Sequence, residues 1–125
     1  MPDENVGIGT LTPSTTLHVN GDVTFGAGLT LTINVDDEVT ATHSYHIIDA
    51  SSGTDDLDTI NGGDAPGQIL ILIPASGDTI TVTDEVGNID LVGTSSYDLN
   101  DPDDILVLCY NGSKWLELSR SNNGE

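Results

Sequence analysis

Three groups of residues in this chain are spaced closely enough to do chemistry. The stretch Ser52-Gly53-Thr54-Asp55-Asp56-Leu57-Asp58-Thr59-Ile60-Asn61-Gly62-Gly63-Asp64 has the Gly/Asp composition of a calcium-binding repeat. Such repeats work by stacking many short copies, so that neighbouring loops share each ion through carboxylate and carbonyl oxygens. Here there is one copy, without the twelve-residue ligand spacing and closing Glu of a helix-loop-helix calcium site. An ordinary solvated Asp-rich loop is the preferred reading. Asn100-Asp101-Pro102-Asp103-Asp104 reads as a turn for a similar reason: Asp-Pro favours one, and Asp103 can hydrogen-bond locally. His43 and His46 could chelate a metal together on a helix, but three residues apart on a strand they face opposite ways. His18, between Leu17 and Val19, reads as a polar strand position.

Other catalytic patterns are weaker still. With 21 acidic residues some carboxylate pair will fall at a glycosidase-like distance by chance, but nothing marks a pocket and sugar-stacking aromatics are few. There is no Gly-x-Ser-x-Gly elbow to raise a nucleophilic serine. Cys109 lies inside an apolar strand and is expected to be inert core. Gly7-Ile8-Gly9 and Gly26-Ala27-Gly28 lack the partner residues and following helix of a phosphate-binding loop. No catalytic, cofactor-binding or metal-ligating residue is therefore assigned. Trp115, the large aromatic of the last hairpin, is expected in the core or at a subunit interface.

The charge narrows the partners. Against 21 acidic residues stand Lys114 and Arg120 alone, giving a formal charge of −19 over 125 residues. Two cations cannot neutralise a phosphate backbone, so nucleic acid is excluded, and an anionic membrane surface is disfavoured for the same reason. No apolar run approaches the roughly 18 residues of a membrane span, and the N-terminus has no signal-peptide pattern. A single cysteine cannot close an internal disulfide or build a Cys-rich zinc site. Sixteen of the acids are Asp and five are Glu, which places the charge in turns rather than on helix faces.

The elements that would carry these residues are strands. No helical period appears, and Leu, Ile, Val and Phe make up 34 of 125 residues, enough to fold. Leu17–Val19, then Asn20-Gly21, then Asp22–Phe25 reads as a hairpin. Leu29–Val35 alternates, with every odd residue apolar. Tyr45–Ile48, Asp78–Thr83 and Asn88–Val92 are shorter candidates. The continuous run Gln68–Ile73, stopped by Pro74, predicts a strand covered on both faces. Ile105–Tyr110, Asn111-Gly112 and Ser113–Leu118 form the clearest hairpin, with a two-residue type I′ signal. Strands at this spacing predict an all-β fold, a small antiparallel sandwich or barrel over residues 29–125. Residues 1–28, rich in glycine and poor in contiguous apolar sequence, predict an extended arm that orders only against other chains. With five aromatic residues the core is thin, and association would supply the missing burial.

The opening Asn5-Val6-Gly7-Ile8-Gly9-Thr10-Leu11-Thr12-Pro13-Ser14-Thr15-Thr16-Leu17-His18-Val19-Asn20-Gly21-Asp22-Val23 resembles a segment of bacteriophage tail-fibre and related virion proteins. That pattern runs Asn-Val-Gly-Ile-Gly-Thr, two variable residues, Pro, three variable residues, Leu-His-Val, one variable residue, Gly-Asp-Val. A looser resemblance to modules of phage structural proteins covers Gly67–Leu72, Asp78–Asp84, Gly87–Ile89 and Asn111–Leu118. The resemblance implies an intertwined homotrimer, with Ile8, Leu11, Pro13, Leu17, Val19, Val23 and Trp115 at subunit contacts. Long fibres of this kind often continue into a self-cleaving chaperone domain, for which 125 residues leave no room. A chain that opens at Met1 and ends soon after the last hairpin is thus expected to be a complete small virion protein. The expectation is a non-enzymatic capsid decoration (cement) protein or short head fibre, on the capsid exterior, with the major capsid protein or another virion protein as partner. The competing readings are a tail or baseplate segment that touches the host, and a calcium-dependent carbohydrate-binding β-sandwich.

Overall fold

The computed structural model describes residues 5–124; residues 1–4 of the expected arm, and residue 125, lie outside them. The described chain is all-β. Its strands are β1 (Val6–Ile8), β2 (Leu17–Val19), β3 (Leu31–Thr32), β4 (Glu38–Thr40), β5 (Tyr45–Asp49), β6 (Thr54–Leu57) and β7 (Thr59–Asn61). They continue as β8 (Ile69–Pro74), β9 (Thr79–Val82), β10 (Ile89–Asp90), β11 (Tyr97–Leu99), β12 (Ile105–Tyr110) and β13 (Trp115–Ser121).

The pairing corrects the expected antiparallel topology. From β3 to β9 the chain coils, and each turn lays its strands parallel to those of the turn before. β3 pairs with β5 and β5 with β8 on one wall, β6 with β9 on a second, and β4 with β7 on a third. Tyr45 thus lies beside Ile71, Thr54 beside Thr79 and Glu38 beside Thr59. Antiparallel pairing enters only where β11 joins β9 and where β12 and β13 close the largest sheet, whose order is β10-β13-β12-β8-β5-β3. Short strands separated by turns are compatible with either arrangement. What favours the coil is that each wall aims one row of apolar side chains at a shared interior.

That interior holds Ile48, Leu57, Ile60, Leu70, Leu72, Ile80, Val82, Leu99, Leu106 and Leu108, all sealed from solvent. Trp115 lies among them at 0% exposure, so its expected place at a subunit contact is wrong and its place in the core stands. Its indole Nε1 donates to the Ile60 carbonyl (3.0 Å), and its ring leans on Tyr110 (5.0 Å between centroids). The third wall is completed by a side chain. Asn88 accepts the Ile60 N–H (2.9 Å) and donates to the Ile60 carbonyl (2.8 Å), as a neighbouring strand would. Gly62 turns the corner at φ 91°, and a Cβ there would strike the Ala41 carbonyl of the preceding turn.

Several local expectations change. Asn20-Gly21 makes no hairpin: the Asn20 N–H is spent on the Ile8 carbonyl (2.8 Å), and Asp22–Phe25 forms no strand. Within Leu29–Val35 only Leu31–Thr32 pairs as strand, and Leu29 and Val35 stay exposed. The loop after β12 spans four residues, because Asn111 Oδ1 accepts the Ser113 and Lys114 N–H groups (2.9 and 2.7 Å). The supposed solvated loop at 52–64 contains β6 and β7, which bury Leu57 and Ile60. Strand β8 is sealed on one face only, since Ile69, Ile71 and Ile73 on the other are half-buried. Cys109 faces the same way as these isoleucines and is not core.

The Asp residues do act on the backbone. Asp78 accepts the Ala50 N–H (2.8 Å) and Asp84 accepts that of Leu91 (2.8 Å). Buried Asp104 takes four: Asn100 and Asp101 on Oδ2 (3.1 Å each), Asn123 and Gly124 on Oδ1 (2.9 and 3.4 Å). Burial pushes its carboxyl up, but the four donors outweigh this and hold it below the usual carboxylate range. Its stabilising contribution is therefore complete above pH 3.8, the ordinary value, and is lost as pH falls through the depressed folded one. Asp104→Asn turns an NH2 group toward two of those donors and is expected to cost about 2 kcal/mol at pH 7. Urea midpoints should show the gap to the parent narrowing at pH 3; a gap that does not depend on pH would mean the carboxylate charge is irrelevant.

Candidate functional site

The N-terminal segment is built by its glycines and hydroxyls. β1 and β2 run parallel, with Val6 opposite Leu17, Gly7 opposite His18 and Ile8 opposite Val19. Val6 N–H donates to the Thr16 carbonyl (2.7 Å). Gly9 sits at φ 73°, where a Cβ would press on the Asn20 carbonyl, so the second glycine of Val-Gly-Ile-Gly is a steric requirement. His18 Nδ1 accepts the Ser14 N–H (3.2 Å), and the Thr15 hydroxyl donates to the Leu17 carbonyl (2.7 Å). The segment folds back on itself as a two-stranded ribbon.

This geometry brings three of the expected contact residues and Val6 into one arrangement. Opposed residues of a parallel pair share a face, so Val6, Leu17, Ile8 and Val19 form one apolar side of the ribbon. Val6, Ile8 and Leu17 are 54%, 55% and 60% exposed, and Val19 is half-buried. Leu11 is fully exposed in the loop between the strands, and Pro13 is half-buried beside it. Val23 is exposed on the unpaired stretch that follows. Val6 escaped sequence reasoning because one apolar residue before a glycine has no periodicity to reveal it.

The ribbon joins the coil through His46. Ala27 bridges to Tyr45, and the Gly28 N–H donates to the Tyr45 carbonyl (2.9 Å). His46 is sealed from solvent. Its Nε2 accepts the N–H groups of Thr42 (3.1 Å) and His43 (3.0 Å), which leaves the proton on Nδ1 to donate to the Leu29 carbonyl (2.8 Å). Both nitrogens are thus committed to backbone. His43 points outward and meets the Thr42 hydroxyl (3.0 Å). A Cβ on Gly28 would collide with the His46 ring.

Among the described residues, no group of three or more His, Cys, Asp or Glu side chains is placed to hold a metal ion, and no cavity opens. Asp37, at φ 60°, is pushed above the usual carboxylate range by burial and then by the charges of Asp58, Asp55, Asp56 and Asp36. The two cations are already engaged. Lys114 Nζ meets Glu85 (2.9 Å) and Asp90 (3.3 Å), while Arg120 pairs with Glu117 and lies over the Tyr97 ring (4.5 Å). The hydrogen bond from Arg120 holds the Glu117 carboxyl below its usual range. No family model matches the chain, and no curated protein matches it. The arrangement can bind through apolar surface and backbone edges.

Proposed function

We propose that the chain is a non-enzymatic structural protein of a bacteriophage virion, a homotrimer that decorates and stabilises the capsid as a cement protein or short head fibre. The observation that carries this reading is the bare β1–β2 ribbon. Two short parallel strands with an uncovered apolar face do not hold together in water, because parallel sheets persist only when covered. The ribbon therefore needs a second surface, and the resemblance of its sequence to phage fibre segments supplies the kind of assembly. Three copies carry a formal −57 (3 × −19), so ion pairs cannot drive association and apolar burial must. Full burial of Val6, Ile8, Leu11, Leu17 and Val23 is worth on the order of 10 kcal/mol per copy before ordering costs.

Light scattering at micromolar concentration should give a mass near 39 kDa, three times the 13.0 kDa chain, falling when residues 1–28 are deleted. A full-length mass of 13.0 kDa would refute the trimer. Immunogold labelling of particles tests the location: label over the head supports the decoration reading, and label confined to the tail replaces it with a host-contacting one.

A further inference from the structure

The outer face of the largest sheet carries a second apolar surface. Register places Ile69 beside Cys109, and Cys109 beside Leu116. It also places Val107 beside Ile71 and Ile71 beside Tyr45, and Ile73 beside Ile47. Strand alternation turns all of these away from the interior, and their aliphatic members are not among the half-buried residues that pack on the core. They remain half-exposed in the single chain, with Ile47 at 37%. No charged side chain interrupts the surface from β5 to β13; Asp49 stands at one margin, bonded by the Thr32 hydroxyl (2.9 Å), and Asp90, paired with Lys114 (3.3 Å), stands beside Leu116 at the other.

We infer that this face is the surface on which a second copy of the chain seats. The charge distribution identifies the occupant. In a chain of formal charge −19, two copies can approach closely only where carboxylates are absent, and this face is such a region. A cationic partner would instead be drawn to the acidic turns. The size also fits a contact shared with the ribbon. Four strands about 4.8 Å apart and five residues of about 3.3 Å give a footprint near 300 Å². A stable interface needs about 800 Å² per partner, so the face supplies part of it and the apolar ribbon adds to it. The ribbon leaves the body beside Tyr45, at one edge of this same sheet, within reach of a copy seated there. The inference rests on the trimer reading and names the surface that reading uses.

Three forms of the full chain measured by light scattering test it: the parent, Ile71→Lys on the face, and Val86→Lys on an exposed turn away from it. The expected masses are 39 kDa, 13.0 kDa and 39 kDa. A folded Ile71→Lys variant that keeps the parent's mass overturns the inference and leaves the trimer standing. A parent of 13.0 kDa overturns both. A parental dimer dissolved by Ile71→Lys overturns the trimer and supports the face. Should Ile71→Lys fail to fold, alkylation of Cys109 in the parent decides. Its rate is expected to fall at least tenfold from the dissociated to the assembled concentration range, and a rate that ignores concentration overturns the inference.

Discussion

Trp115→Ala is expected to lower the unfolding free energy by about 4 kcal/mol, the cost of removing a fully buried large aromatic from a packed interior. The indole fills the space between the Ile60 turn, Tyr110 and the closing hairpin, and no other side chain in this thin core approaches its volume. Most of the loss is packing. The Ile60 carbonyl that accepts its N–H also accepts Asn88 Nδ2, so removing the indole leaves that oxygen with a partner. Trp115→Phe, which keeps a ring and loses the donor, should therefore cost roughly half as much. Urea unfolding followed by circular dichroism measures both, since the variants lose the chain's only tryptophan. A cost below about 1 kcal/mol for the alanine variant would show that the indole is not the centre of the core.

His46→Leu is expected to cost about 3 kcal/mol, although it replaces a buried polar side chain by an apolar one of similar size. Leucine fills the volume but leaves the Leu29 carbonyl and the Thr42 and His43 N–H groups without the partner the imidazole provides. The ring thus ties the segment that leads from the ribbon into the coil, at Leu29, to the turn before β5, at Thr42 and His43. The change should therefore speed hydrogen exchange at Thr42, His43 and Gly28 well beyond the rest of the chain. Unaltered protection at Thr42 and His43 would contradict the role given to the ring. Since the substitution loosens the base of the ribbon, assembly should also weaken.

How much was legible depends on what each strand displays. β5, β8, β9 and β12 carry alternating or continuous apolar residues, and periodicity located them to within a residue or two. β6 contains one apolar residue among Thr and Asp, β4 one valine between Glu and Thr, and β7 one isoleucine between Thr and Asn. Such pieces form strands because neighbouring turns of the coil supply their ladder partners, and composition gives no hint of that. The ribbon was half legible. Leu17–Val19 was found as a strand, but its partner lies eleven residues earlier, not across Asn20-Gly21.

The sequence by itself determined the all-β class, the absence of any cationic patch, and the apolar residues of the opening segment. These follow from residue type and short spacing, which act before the chain closes on itself. Tertiary structure alone decided that strands pair mainly in parallel, that Trp115 is enclosed by its own chain, and that Cys109 and three isoleucines of β8 look outward. Each of these depends on which distant strand arrives alongside, and short strands leave that choice to the burial shared by the whole coil.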